Sequence, residues 1–363
     1  RQRVQDLRDC HRDPPFYAAV IYFSYNAIIE KYFHIFKFFY KIQIESEIIY
    51  SQKQNGGIQV TKQLMSGNEA VARGAWEAGV AFASAYPGTP STEILENVGT
   101  YKEIVAEWAP NEKVAMEAAI GASMGGVRSM AAMKHVGLNV AADPIFTFAY
   151  MGVSGGMVFV TADDPGMHSS QNEQDNRNYA PFIKIPMLEP SDSQEAKDMF
   201  RDAFDLSERF DTPVMFRMTT RVCHSKSLVE PGERHPFAAI PYVKNRAKFD
   251  DVPAAAKRNR LKMPERDRRL TRLSTDRKYN RAEDSGSRKV GIVTSGVSYQ
   301  YAKEVFGDAV SYLKLGLTNP LPIDLIREFR ARVETMYVIE ELDPYMENQI
   351  KAAGIDCIGK DKI

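Results

Sequence analysis

Two carboxylates, Glu112 and Glu117, share the Ala- and Gly-rich stretch Glu112-Lys-Val-Ala-Met-Glu-Ala-Ala-Ile-Gly-Ala-Ser123. Small neighbours let other groups pack close to such a carboxylate, and a carboxylate shielded from water can hold or position a proton. Glu117, set among small residues, is the first candidate, and Glu112 competes with it. Upstream lies Ala83-Ser-Ala-Tyr-Pro-Gly-Thr-Pro-Ser-Thr-Glu93. Tyr86-Pro87-Gly88 breaks a short strand, Thr89 has an N-cap side chain and Pro90 suits the first helical position. That reading puts a hydroxyl and free N–H groups at the positive end of a helix, where a ligand carboxylate could sit. Each pattern alone also fits an ordinary capped helix or a solvated helix face. Their order and surroundings carry the functional reading.

Those surroundings are Leu64-Met-Ser-Gly-Asn-Glu-Ala-Val-Ala-Arg-Gly74, Lys134-His-Val-Gly-Leu-Asn139 and Asp163-Asp-Pro-Gly-Met-His-Ser-Ser-Gln-Asn-Glu-Gln-Asp-Asn-Arg177. With the two stretches above, they make residues 61–230 resemble the pyrimidine-binding domain of the thiamine-diphosphate-dependent 2-oxoacid:ferredoxin oxidoreductases. Among these the alpha subunits of the indolepyruvate type are most similar. The resemblance implies oxidative decarboxylation of an aryl 2-oxoacid to its acyl-coenzyme A, with ferredoxin taking the electrons and the cofactor carrying the difficult chemistry. It implies that Glu117 acts catalytically and in cofactor binding, as a partly buried carboxylate beside the aminopyrimidine ring. Thr89 would hydrogen-bond the substrate's carboxylate or keto oxygen, and Gly88 would give the backbone room beside it. His135 would touch substrate or cofactor, or else be a hydrogen-bonded structural histidine. The polar run from His168 to Arg177 has no apolar periodicity and reads as an active-site or subunit-contact loop.

The same resemblance implies parts that this stretch of chain does not carry. The family continues with a diphosphate-binding domain holding Mg²⁺ and with a cysteine-rich ferredoxin-like domain for iron–sulfur clusters. The expectation is a hetero-oligomer with a beta subunit, in which thiamine diphosphate is shared with the missing domain and this chain alone is inactive. The alternatives are a relative acting on pyruvate, 2-oxoglutarate or branched 2-oxoacids, and a non-catalytic, truncated assembly subunit.

Composition narrows the rest. The chain has 363 residues, 44% of them hydrophobic, enough for two domains with real cores. Its formal net charge is zero, so no overall field favours nucleic acid or an anionic membrane. Cys10, Cys223 and Cys357 are far apart and form no CxxC pair, so the expectation is no metal site here and a reducing cytoplasm. Residues 1–59 are dense in Phe, Tyr, Ile and Lys, and their longest uncharged run, Pro14 to Ile29, is shorter than the roughly 20 apolar residues a span needs. They read as an upstream, mistranslated segment, with the true start at Val60.

Three segments follow in this reading. Residues 60–230 alternate helix (67–78), strand (81–85), helix (91–99), helix (116–126), strands (129–134, 157–161), helix (192–208) and strand (213–217). Such alternation predicts an α/β fold with a parallel sheet covered on both faces, and ligands beyond the carboxyl ends of its strands. Residues 231–289 hold 17 Lys/Arg against 8 Asp/Glu and read as a basic, solvated interdomain helix and linker. Residues 290–363 predict a smaller doubly wound α/β domain, resembling the truncated transketolase C-terminal-like domain of the same family. Its Ser295-Gly296 turn lacks GxGxxG, so no dinucleotide site is assigned, and Glu340 and Glu341 at a strand end read as structural.

Overall fold

The computed structural model describes residues 62–250 and 252–360. The expectations for residues 1–59 and for a start at Val60 lie outside the described residues. Lys62 to Ile363 make one compact unit. Its strands are β1 (Gln63–Ser66), β2 (Phe82–Ala85), β3 (Val105–Trp108), β4 (Ser129–Lys134), β5 (Met157–Asp163), β6 (Met187–Leu188), β7 (Val214–Thr219), β8 (Lys226–Val229), β9 (Asn280–Glu283), β10 (Val290–Ser295), β11 (Ser311–Leu315), β12 (Leu317–Asn319) and β13 (Thr335–Ile339). Its helices are α1 (Gly67–Glu77), α2 (Thr92–Val98), α3 (Glu112–Met124), α4 (His135–Met151), α5 (Tyr179–Ile183), α6 (Ser193–Phe210), α7 (Thr220–His224), α8 (Arg246–Phe249), α9 (Pro253–Leu273), α10 (Gly296–Phe306), α11 (Ile323–Arg330) and α12 (Tyr345–Ala352).

The main sheet has seven strands in the order β12-β6-β7-β5-β4-β2-β3, parallel except for β12. β5 and β7 are buried along their whole length, as strands covered on both faces must be. Alternate residues serve opposite cores. Met130 and Ala132 face a core shared with α1, α2 and α6, whereas Ala131 and Met133 face a core shared with α3 and α4. The expected parallel α/β fold is therefore present. Caps set the helix starts. Ser66 and Glu69 form a capping box on α1, and Asp192 accepts from Glu195 N at α6.

A four-stranded sheet, β13-β10-β11-β9, forms the second α/β layer. It is less separate than the boundary at 290 suggests. β12 pairs antiparallel with β6 in the main sheet. Val293, Leu313, Leu315, Leu321 and Leu325 join the core built on α3 and α4. One continuous apolar interior thus spans both sheets, because the second sheet cannot bury its inner face alone.

Local bounds shift in places. The helix expected over 116–126 begins at Glu112, because Asn111 caps it by accepting from Val114 N. The motif Lys134 to Asn139 runs from the end of β4 into α4, and Pro144 lies inside that helix. The connector carries the expected helix, α9, and most of its residues are exposed, but it is docked at points along its length. Arg234 donates to the Trp76 and Val80 carbonyls, Ile240 N to Gly126 O, and α9 buries Ala255, Asn259, Met263 and Leu270. Its last residues form β9, an edge strand of the second sheet.

Candidate active site

In the main sheet β2 lies between β3 and β4. The chain leaves β2 for β3 on one side and then crosses back to β4 on the other. Such a reversal opens a crevice at the carboxyl ends of β2 and β4, where α/β sheets hold ligands. The turn after β2 (86–91), the start of α3, the start of α4 and the loop after β5 (164–178) all belong to this edge of the sheet.

The turn after β2 differs from its expected form. The Thr89–Pro90 bond is cis, and Ser91 donates both its N–H and its hydroxyl to Gly88 O, each at 2.9 Å. That turn delays the helix to Thr92, so Ser91 holds the cap position, Thr89 is not the N-cap and Pro90 is not the first helical residue. Gly88 N donates to Thr92 Oγ1 at 2.9 Å, so that N–H is not free for a ligand. Thr89 is exposed, its hydroxyl unengaged among the described residues. Buried Asn68 on α1 holds the turn from below, donating to Pro90 O at 2.8 Å and to Glu93 Oε2 at 3.0 Å. Gly88 lies on the Lys134 side chain, and a Cβ there would come 2.8 Å from Lys134 Cδ. The neighbour of this glycine in the structure is thus a lysine stem.

The two carboxylates differ in environment. Glu117 stands on the outer face of α3, its side chain 52% exposed and 3.9 Å from Lys113 Nζ. The partial burial expected of it is absent among the described residues, because α3 turns its inner face, through Met116, Ala119 and Ile120, to the core. Glu112, in the first turn of α3, is buried, and its carboxylate lies against Gly137 of α4. At a helix N-terminus the dipole favours a negative side chain.

His135, the first residue of α4, is fully buried. Its Nε2 lies 3.0 Å from Asn172 O, and its carbonyl accepts from Asn176 Nδ2 at 3.1 Å. Burial lowers its pKa, so the ring is neutral at pH 7. Of the two roles open to it, the geometry is that of a hydrogen-bonded anchor for the loop after β5. That loop is held at several points. Asp164 accepts from Ser169 N and Thr220 Oγ1, both at 2.8 Å; burial would raise its carboxyl, but these hydrogen bonds outweigh it and hold it at about 2. Asp163 accepts from Arg217 Nε at 3.0 Å, yet burial pushes its carboxyl up to about 7. Arg217 also donates to Glu189 at 2.7 Å. Sequence reasoning missed Asn68, Asp163 and Arg217 as site-building residues, although the first two sit inside quoted motifs.

The crevice fits the ring end of thiamine diphosphate in kind. It offers a buried carboxylate, Glu112, and an exposed residue with a hydroxyl, Thr89. Among the described residues no group of three or more His, Cys, Asp or Glu could hold a metal ion, and no helix is long and apolar enough to cross a membrane.

Residues 73–291 match the family model described as pyruvate flavodoxin/ferredoxin oxidoreductase, thiamine diphosphate-binding. The chain is 43% identical over 306 residues to the indolepyruvate oxidoreductase subunit IorA of Archaeoglobus fulgidus, covering 81% of this chain and 49% of that one. It is 46% identical over 295 residues to the subunit of the same name from Methanothermobacter marburgensis, covering 79% and 48%. The chain thus spans about half the length of these curated relatives. A solved 2-oxoglutarate:ferredoxin oxidoreductase from Magnetococcus marinus superposes with a TM-score of 0.68 at 20% identity, over 83% of this chain and 62% of that one. At that identity the likeness concerns the fold.

Proposed function

Because the chain belongs to the pyruvate flavodoxin/ferredoxin oxidoreductase family of thiamine-diphosphate-binding proteins, we propose that it supplies the aminopyrimidine-binding half of an indolepyruvate:ferredoxin oxidoreductase site. The aryl substrate class rests on the similarity to subunits named indolepyruvate oxidoreductase over about four fifths of the chain. The observation that carries the reading is a buried carboxylate, Glu112, at a helix start on the carboxyl edge of a parallel sheet. The reaction is oxidative decarboxylation of the 2-oxoacid to its acyl-coenzyme A, with ferredoxin as the electron acceptor.

Thiamine diphosphate, when bound, supplies the nucleophilic carbon and the electron sink. This chain's residues position and polarise. A carboxylate held out of water keeps a proton within reach of a ring nitrogen more effectively than a solvated one. Glu117 was the expected holder of that role, but the burial of Glu112 favours Glu112. Thr89 offers its hydroxyl to the substrate's carboxylate or keto oxygen, and Gly88 lets the turn lie close to Lys134. Mg²⁺, the diphosphate contacts and the iron–sulfur clusters fall to regions beyond this chain and to a beta subunit, in a cytoplasmic hetero-oligomer.

The test is turnover of indolepyruvate by the assembled complex with coenzyme A and ferredoxin. Glu112→Gln should lower kcat by about 10²-fold or more, and Glu117→Gln by far less. The reverse pattern would return the role to Glu117. Full activity in both variants would sink the assignment of a proton-holding carboxylate to this chain.

A further inference from the structure

The loop after β5 ends on an arginine that makes no contact with the crevice. Arg177 is 1% exposed, and its donors are distributed over both sheets' surroundings. Its Nε donates to Asp175 Oδ1 at 2.9 Å, and its Nη1 to Glu340 Oε2 at 2.7 Å. Its Nη2 donates to the carbonyls of Glu341 at 2.6 Å and Asp343 at 3.1 Å. The guanidinium also lies 5.1 Å from the centre of the Tyr345 ring. Glu340 is fixed in turn at the start of α12, where it accepts from Met346 N at 2.9 Å and Glu347 N at 3.0 Å. Asp343 N returns a bond to Asp175 Oδ2 at 3.1 Å. The result is a closed ring of bonds between the loop and the turn after β13.

A buried ion pair of this kind adds little net stability, because desolvation offsets most of its attraction. What it does add is geometry. A planar fork with several acceptors fixes one arrangement of the two segments. The neighbouring Asn176 belongs to the crevice side. It donates to His135 O at 3.1 Å and to Thr161 Oγ1 at 2.7 Å. Four residues earlier, Asn172 O meets His135 Nε2. The later part of the loop, 172–177, is therefore tied both to the start of α4 and to the turn after β13, while Gly166–Ser169 before it is exposed.

We infer that Arg177 is a positioning residue, clamping the loop 164–176 to the Glu340–Asp343 turn so that the second α/β layer sets the loop's place over the crevice. The inference rests on the proposed function for its consequence in turnover and stands apart from it in structure. Breaking the clamp frees the loop's end without touching Glu112 or Thr89.

The experiment is hydrogen exchange by mass spectrometry on the assembled complex, with steady-state kinetics on the same samples, for Arg177→Lys and Glu340→Gln. Lysine keeps the charge but lacks the planar fork that spans several acceptors, and glutamine removes the charge while keeping the size, so one variant serves if the other fails to fold. Exchange in peptides spanning 164–176 should rise about tenfold or more, while β10 and β11 stay protected. KM for the 2-oxoacid should rise several-fold with the pH profile of kcat unchanged. Loop exchange at the wild-type rate in a folded variant would overturn the clamp. Raised exchange with unchanged KM and kcat would overturn its role in the reaction. A wild-type complex inert toward every 2-oxoacid would instead remove the proposed function, and loop exchange would still decide the clamp.

Discussion

Gly137 lies so close to Glu112 that a Cβ on it would come 2.5 Å from Glu112 Oε1. The contact joins the first turns of α3 and α4, and it explains why a glycine follows His135-Val136 at this point. Any side chain here must push the carboxylate aside.

Gly137→Ala should therefore act on Glu112 more than on the fold. A carboxylate end can swing away at modest cost, so the melting temperature should fall by only a few degrees, about 1 kcal/mol. Turnover by the assembled complex should drop about tenfold or more if Glu112 holds the proton. Thermal melts and kcat on one preparation separate the two effects. A large loss of stability would show that the contact is structural.

Asn68→Ala removes two bonds that hold the turn at Pro90 and Glu93. The Pro90 carbonyl loses a buried donor, at a cost of about 1–3 kcal/mol. The expected signature is a raised KM for the 2-oxoacid with a smaller change in kcat, since the turn carries Thr89. An unchanged KM would remove Thr89 from the substrate's surroundings.

Asp163 gives a pH dependence with a definite sign. Its folded carboxyl, pushed by burial to about 7, lies above its ordinary value of 3.8. Its contribution to stability is thus fully present below about pH 4 and is lost as pH rises through about 7. Asp163→Asn mimics the protonated form and should flatten the fall in melting temperature between about pH 4 and about pH 7. Parallel slopes for wild type and variant would show that Asp163 stays ionised beside Arg217.

The shared interior predicts how the chain can be cut. A fragment ending at Glu230 loses β12 from the edge of β6, together with Leu313, Leu315 and Leu321 from the core around Met187 and Met215. It should expose apolar surface, bind a hydrophobic dye and unfold at lower denaturant than residues 62–363. A fragment as stable as the longer chain would restore two independent domains.

Local patterns in the sequence determined the α/β class. The short apolar stretches Met157–Val160 and Val214–Phe216, the Ser66–Glu69 capping box and the Asp192 cap each act within a few residues, and short-range rules suffice to read them. The motifs that ring the crevice were also legible, because their residue types are uncommon in that order. The tertiary structure alone decided the rest. Glu112 and Glu117 are five residues apart on one helix, and only packing against α4 buries the first and leaves the second in water. Thr89 has an N-cap's side chain, but hydrogen bonds to Gly88 O move the helix start beyond it. Arg177 and Glu340 are far apart in sequence and meet only because two sheets share one interior. Burial and long-range pairing are properties of the packed chain, so no local reading of the sequence could supply them.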